Sequence, residues 1–332
     1  MTKETKYGVI SDIHEDPRII TRALYELKSQ GAEKLLLNGD IGGWRDDLRA
    51  SQNYTAFILN EVAKSGLEAF VQAGSHEPIL VFAPVIEHFS SRFKNQIIDV
   101  TKVPNIEHNG HQLVFLPGSD FLVRGGEYQI GNEERLPTGD YIKTRQGLMV
   151  MDGLDMYIDF LKRGIVERAM HYSNMNDLRK YVNQPEKTIV VCHIPRKFDN
   201  IDEAVDMAEF GEAFIDFPLQ GKIISKGSGF PIASAKKINS LGYPISIKRE
   251  NRGNEDLEKL YDELGITKSV SAHFHESSHR ANDRNGNHVN EGEYVTELFW
   301  NSGHLDRGHT GILTVDGERV SYRNINLRTV GE

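Results

Sequence analysis

Five short segments of the sequence combine aspartate and histidine in a way that suits a pair of metal ions. A hydrolytic two-metal centre needs several oxygen and nitrogen ligands and one group that both ions share. Aspartate and neutral histidine suit Mn, Fe, Zn or Ni better than the all-oxygen shells that Ca and Mg prefer. The segments are Ser11-Asp12-Ile13-His14, Asn38-Gly39-Asp40, Gly74-Ser75-His76-Glu77, Cys192-His193 and Ala272-His273-Phe274-His275.

The spacing within two of these segments favours binding of one ion by two side chains. Asp12 and His14 are separated by a single residue, as are His273 and His275. In extended chain, residues i and i+2 project to the same side, so both members of each pair can reach one ion. Most of the segments follow a short apolar run that predicts a strand, and open α/β sheets bind ligands at the carboxyl ends of their strands.

The elements that must position these residues follow from the hydrophobic pattern. Strand and helix patterns alternate over the first 95 residues, which predicts a largely parallel sheet covered by helices. The Asn109-Gly110 pair predicts the turn of a hairpin at 105–116. Further strands are predicted at 188–191, 268–271, 294–300, 311–315 and 319–326, helices at 151–182 and 254–265, and a surface excursion at 118–150.

Composition restricts the kind of protein. The chain has 332 residues, a formal charge of −9 and one cysteine, Cys192, so an intrachain disulfide is excluded. The N-terminus has no signal-peptide pattern, and no apolar stretch approaches the roughly 20 residues that cross a bilayer. We therefore expect a cytoplasmic protein that does not contact a membrane. The sequence does not indicate the oligomeric state.

The order of the five segments resembles the calcineurin-like metallophosphoesterase superfamily, whose pattern is D-x-H, G-D, G-N-H-[DE], H, G-H-x-H. The motifs span residues 12 to 275, and Asn301-Ser302-Gly303 resembles the Asn-Pro-Gly turn of the family. The resemblance implies an α/β fold, a sandwich of two mixed β-sheets flanked by α-helices, over residues 1–332. Residues 196–267 would form an inserted cap or lobe within this single domain.

The resemblance also implies roles for individual residues. Asp12, His14, Asp40 and His275 would hold one divalent ion, and Asp40, Ser75, His193 and His273 would hold a second. Asp40 would bridge the two ions, with Mn as the first expectation and Fe, Zn or Ni as alternatives. A metal-bridging hydroxide would attack phosphorus, and His76 would protonate the leaving oxygen as general acid.

The sequence departs from the family pattern at three places. Position 75 is Ser where the family has an Asn that supplies an amide oxygen, so we expect weaker binding of the second ion. Position 272 is Ala where Gly is usual. Position 43 is Gly where many relatives have an acid that orients His76, and Asp46 or Asp47 would have to replace it.

These features predict a metal-dependent phosphoesterase acting on a phosphodiester or nucleotide-type substrate. The protein-phosphatase sequence G-D-x-V-D-R-G is absent, and the insertion has a basic stretch at 222–252 whose Lys222 and Lys226 could bind substrate phosphates. His304, after the Asn-Ser-Gly turn, is a further candidate substrate contact beside His76. One alternative is a nuclease acting on DNA or RNA, and another is a non-catalytic scaffold with this fold.

Overall fold

Two six-stranded mixed sheets face each other in the computed structural model, which describes residues 3–328. In the first sheet four parallel strands lie beside an antiparallel C-terminal hairpin, in the order β21-β20-β1-β2-β3-β4. Its strands are β1 (Thr5–Ile10), β2 (Lys34–Asn38), β3 (Glu68–Gln72), β4 (Ile97–Asp99), β20 (His309–Asp316) and β21 (Arg319–Asn326).

The second sheet also has four parallel strands, flanked by one antiparallel strand on each edge. The order is β18-β19-β17-β11-β6-β5. Its strands are β5 (Asn105–His108), β6 (His111–Leu116), β11 (Thr188–Cys192), β17 (Lys268–Ser271), β18 (Ala281–Asn282) and β19 (Leu298–Asn301). The hairpin predicted around Asn109-Gly110 is confirmed as β5 and β6.

Side chains that alternate along the strands build a core on both faces of each sheet. In β2, Leu36 packs between the sheets whereas Leu35 and Leu37 pack against helices, as the two-residue period of a strand requires. Phe70 of the first sheet meets Phe115 of the second across this interior, at 5.8 Å between ring centroids. The helices are α1 (Ile19–Ser29), α2 (Leu48–Ser65), α3 (Ile79–Arg92), α4 (Gly153–Lys162), α5 (Leu178–Tyr181), α6 (Ile232–Ser240) and α7 (Glu255–Leu264).

The region between β6 and β11 contains more regular structure than its sequence indicates. Residues 118–150, expected as a surface excursion, contribute three strands, and residues 166–174, expected to be helical, form a fourth. Pairing with strands distant in sequence explains the difference, because the order is β7-β10-β8-β9. The strands are β7 (Tyr128–Gly131), β8 (Gly139–Thr144), β9 (Gly147–Val150) and β10 (Val166–Asn174).

A small lobe lies within the predicted insertion. Three antiparallel strands in the order β15-β12-β16 carry helix α6, and a two-stranded hairpin extends from them. None of the helices in the described residues is long and apolar enough to cross a membrane. The strands of the lobe are β12 (Met207–Ala213), β13 (Phe217–Leu219), β14 (Lys222–Ile224), β15 (Gly229–Pro231) and β16 (Ile245–Asn251).

Candidate metal centre

All five sequence motifs lie at one edge of the sandwich. They follow the carboxyl ends of parallel strands, which meet at the same edge of a sheet. The first sheet contributes the residues after β1, β2 and β3, and the second contributes those after β11 and β17. The site is therefore assembled across the two sheets, from segments more than 260 residues apart in the sequence.

One cluster gathers around Asp12. Its Oδ1 lies 3.3 Å from His275 Nε2 and 3.6 Å from His14 Nε2. His14 Nε2 also lies 3.9 Å from Asp40 Oδ2. The structure thus brings together the four side chains expected to hold the first ion.

A second cluster gathers around Asp40. His193 Nε2 lies 3.1 Å from Asp40 Oδ2, and the donor atoms of Asp40, His193 and His273 all lie within 4.8 Å of one another. Ser75 Oγ donates a hydrogen bond to Asp40 Oδ2 at 2.8 Å. The backbone N–H groups of Ser75 and His76 donate to Asp40 Oδ1 at 2.5 and 2.9 Å. Asp40 therefore joins the two clusters, and Ser75 lies directly beside it.

The donor set of this pocket fits divalent ions. Among the described residues, His14 Nε2 and His193 Nε2 are buried and have no hydrogen-bond partner. Buried polar atoms are normally hydrogen-bonded, so two ring nitrogens that lie near carboxylates without forming such a bond indicate a site for a cation. His193 Nδ1 donates to the Asn38 carbonyl at 2.8 Å. Because a carbonyl only accepts, that bond leaves Nε2 free to bind a metal.

The aspartates and the histidines shift one another's ionisation. Although burial opposes their ionisation, the neighbouring histidines hold the pKa values of Asp12 and Asp40 well below the usual range. Burial alone would lower the pKa of His193, but attraction to the Asp40 carboxylate raises it to about 10. Burial lowers the pKa of His273 to about 3, helped by repulsion from His193. The pocket thus carries two carboxylates whose charge can be neutralised by a proton or by metal ions.

The backbone is strained at three of the candidate ligands. Asp12, Asp40 and His273 have φ values of 54°, 54° and 68°. Residues other than glycine rarely adopt this left-handed region, and where they do, it is often at functional sites. The turn at each strand end aims the side chain into the pocket at a cost in stability.

Buried amides beneath the pocket join the two sheets. The Asn38 amide donates to the backbone carbonyls of Cys192 and Val270, and Gln72 Nε2 donates to Asn38 Oδ1. Both side chains are almost fully buried. These bonds hold β2 and β3 against β11 and β17 directly under the ligands. Neither amide role is predictable from the sequence, since a polar residue within an apolar run has no distinctive spacing.

Glu77 ties together the turns that carry Asp40 and Ser75. Its carboxylate is fully buried and accepts hydrogen bonds from the backbone N–H groups of Ile41, Gly42 and Gly74. Burial and the nearby Asp40 charge raise the pKa of Glu77 to about 8. The acid in the Gly74-Ser75-His76-Glu77 segment therefore fixes the backbone of the pocket.

Asn301 fixes the histidine pair after β17. Its Nδ2 donates to the carbonyls of Ala272 and Phe274, on either side of His273, both at 3.1 Å. Its Oδ1 accepts from Gly303 N at 3.1 Å, which closes the turn after β19. The segment that resembles the family turn thus positions a candidate ligand on a neighbouring strand.

His76 lies beside Asp40 and is partly exposed, and no second acid pairs with it among the described residues. Its Nε2 is 3.9 Å from Asp40 Oδ2, and its ring centroid is 4.5 Å from that of His14. Asp47, considered as a replacement for the missing acid, instead caps helix α2 by accepting from Ala50 N at 2.7 Å. Asp46 is exposed.

The predicted substrate contacts divide into two groups. His304 lies within the pocket, with its ring 3.7 Å from His275 between centroids. Lys222 lies in β14 of the lobe and Lys226 follows that strand, and both are exposed. No contact described within residues 3–328 joins either lysine to the histidine cluster, and their role in substrate binding stays a prediction.

Comparisons with known proteins bear on the fold alone. Neither a comparison with models of protein families nor one with curated proteins finds a match. Among solved structures, TT1561 of Thermus thermophilus is 10% identical, covers 97% of this chain and 99% of its own, and has a TM-score of 0.48. A dimetal phosphatase from Danio rerio is 12% identical, covers 97% and 99%, and has a TM-score of 0.44.

A third solved structure reaches a TM-score of 0.50 at 10% identity, and covers 97% of this chain and all of its own length. Its likeness shows a shared overall fold. This likeness and the two facing sheets confirm the predicted α/β sandwich flanked by helices. In this chain, the His and Asp clusters lie at one edge of that sandwich.

Proposed function

We propose that this chain is a metal-dependent phosphoester hydrolase with a dinuclear site. The observation that carries the proposal is the pair of His and Asp clusters that share Asp40 at the carboxyl ends of the strands. A shared carboxylate between two such clusters suits two ions held close together, the arrangement that clamps the attacking and leaving oxygens of a displacement at phosphorus. Two bound ions would also give both unpaired ring nitrogens a partner at once.

The resemblance implies which residues would bind each ion. Asp12, His14, Asp40 and His275 would hold one ion, and Asp40, Ser75, His193 and His273 the other. Divalent ions bound there supply Lewis-acid stabilisation of the phosphoryl oxygens and lower the pKa of the attacking water. Asn38, Glu77 and Asn301 keep the ligand-bearing turns in place through the bonds described above.

His76 is our candidate for the group that protonates the leaving oxygen. It is partly exposed at the mouth of the pocket, where a substrate would enter. Burial lowers its pKa to about 4, so the ring is neutral at pH 7 in the metal-free protein. A bound phosphate would have to raise that pKa before the ring could donate a proton at this pH. The neutral ring can also donate one hydrogen bond to a substrate oxygen.

We infer a phosphodiester or nucleotide-type substrate. The absence of the protein-phosphatase sequence argues against a phosphoprotein. Four lysines of the lobe have no ion-pair partner among the described residues, so their charge is available for phosphate groups. They are Lys222, Lys226, Lys236 and Lys237. Other cations of the lobe are already paired, for example Lys248 with Glu212 at 2.7 Å.

The same four lysines favour a second candidate, a nuclease acting on DNA or RNA. It predicts polynucleotide binding that weakens steeply with salt, because each neutralised phosphate releases counterions. The net charge of −9 opposes such binding over the surface as a whole. A non-catalytic scaffold, by contrast, would not require the nearly complete set of candidate ligands.

Hydrolysis of two chromogenic substrates tests the proposal. We would compare bis(p-nitrophenyl) phosphate with p-nitrophenyl phosphate, each with Mn²⁺ and with chelator. His14→Ala should abolish turnover, whereas His88→Ala, at an exposed histidine of α3, should leave it unchanged. Metal-dependent cleavage of the diester that His14→Ala removes would support the proposal. Equal turnover by wild type and His14→Ala would refute the assignment.

A further inference from the structure

A buried histidine beside the first cluster has no hydrogen-bond partner for either ring nitrogen among the described residues. His304 follows β19 and is 7% exposed, and neither Nδ1 nor Nε2 makes a hydrogen bond to any described residue. A buried imidazole normally donates through one nitrogen and accepts through the other. The missing hydrogen bonds indicate that His304 binds a group that is not part of the protein chain.

The position of the ring indicates what that group is. Ligand atoms of His14, His275 and His304 lie within 4.8 Å of one another. The ring of His304 stacks on His275 at 3.7 Å and lies 5.7 Å from His14, measured between centroids. His14 and His275 in turn face Asp12 at 3.6 and 3.3 Å. Three imidazoles and a carboxylate thus converge on one small volume.

The loop that carries His304 is fixed to the loop that carries His14. Leu305 N donates to Ser11 O at 3.1 Å, and the Asp306 carboxylate accepts from His14 N at 2.5 Å and from Glu15 N at 3.0 Å. Asp306 Oδ2 also lies 3.5 Å from His304 Nε2. A carboxylate next to a ligating histidine commonly orients its ring and raises its basicity. The fixed loop and the nearby Asp306 carboxylate both hold the His304 ring in one orientation, as cation binding requires.

We propose that His304 is a ligand of the ion held by Asp12, His14 and His275, with Asp306 as its positioning residue. This inference rests on the proposed function. It makes the first site rich in nitrogen, with three imidazoles, whereas the second has two imidazoles and the hydroxyl of Ser75. Imidazole favours Zn, Fe, Ni or Co over Mg and Ca. The two sites should therefore differ in metal preference, with the first binding the borderline ions more tightly.

The competing role for His304 is the substrate contact predicted from the sequence. A substrate contact would leave metal binding unchanged and would alter KM alone. A metal ligand would alter the affinity and the coordination of the ion in the absence of any substrate. Metal binding by the substrate-free protein therefore separates the two roles.

Titration of metal-free protein with Co²⁺ tests the inference, with visible absorption as the readout of coordination. His304→Ala should weaken the tighter of the two binding steps by at least about tenfold and change the Co²⁺ spectrum, with a smaller loss for Asp306→Asn. His309→Ala is the matched control. His309 is also a partly buried histidine with an unpaired nitrogen, but its ring packs on His279 and belongs to no candidate metal cluster.

Circular dichroism of each metal-free variant checks folding, and His304→Gln replaces His304→Ala if the smaller side chain unfolds the protein. Unchanged Co²⁺ affinity and spectrum in a folded His304 variant would overturn the inference. The proposed function would survive that result if His14→Ala still abolished Co²⁺ binding. A wild type that binds no Co²⁺ in this pocket would overturn both.

Discussion

Replacing Asn301 with alanine should destabilise the protein measurably even without metal. The side chain is 1% exposed and makes four hydrogen bonds, to Ala272 O, Phe274 O and Val205 O through Nδ2 and from Gly303 N through Oδ1. The carbonyls of Ala272 and Phe274 keep backbone donors after the substitution. Those bonds therefore contribute little to the expected loss.

The size of the stability loss depends on Val205 O and Gly303 N, the other two groups that bond to Asn301. Within residues 3–328, Val205 O and Gly303 N have no other hydrogen-bond partner among those described. A buried polar group left unpaired costs about 1–3 kcal/mol, and the 3.4 Å bond to Val205 O places its share at the low end. We therefore expect Asn301→Ala to lower the free energy of unfolding by about 3 kcal/mol.

Urea denaturation in the presence of a chelator measures this loss. Asn290→Ala is the control, because the Asn290 side chain is exposed and, among the described residues, bonds to Glu293 alone, so its effect should stay within about 0.5 kcal/mol. The Asn301 variant should also bind metal more weakly, since His273 lies between the two anchored carbonyls. A loss below about 1 kcal/mol for Asn301→Ala would show that this amide does not hold the turns, and the reasoning would fail.

Three further predictions concern the pocket. Because the Asp40 carboxylate raises the pKa of His193 to about 10, a metal ion must displace a proton below that pH. Apparent affinity for the second ion should rise about tenfold per pH unit between pH 7 and 9 and level off above 10, by calorimetric titration, and a flat profile would contradict the pairing. The metal-free protein should conversely lose stability as pH rises from about 7 towards 10, since the raised pKa stabilises the fold only while His193 is protonated. Gly126→Ala would place a Cβ 1.9 Å from Ser75 O, so it should weaken binding of the second ion and lower the melting temperature. Gly125→Ala, which meets no atom within 4 Å but has a φ of +81°, should cost only the strain of about 1 kcal/mol, and equal losses for the two variants would contradict this packing.

The sequence predicted the parallel strands and placed the candidate ligands at their ends, because both signals are local. An apolar run followed by Asp40 or His193 predicts a strand, the position of its carboxyl end and a candidate metal ligand, all within a few residues. The small sheet of β7 to β10 was not predicted, because β10 pairs with β7 and β8 across more than 20 residues. Charged residues in Val166–Asn174 hide the strand pattern, and only the partners determine it.

The supporting residues of the site were missed for a related reason. Asn301 bonds to a segment 29 residues away in the sequence, and Asp306 to one 292 residues away. Their importance depends on which carbonyl or amide group the fold brings to them. Asp47 illustrates the converse, since its place in sequence suggested an orienting role but its side chain caps a helix instead.

The division of the ligands between two sheets also affects how the chain folds. Asp12 and Asp40 belong to the part made first, whereas His273, His275 and His304 come from the last quarter of the chain. The pocket therefore forms only after the two sheets have docked, so an ion would bind the folded sandwich and not a partly folded chain. Free ion at 100 times its Kd would stabilise that state by about 2.7 kcal/mol. Metal supply would thus protect the newly made protein from unfolding, quite apart from any part it plays in hydrolysis.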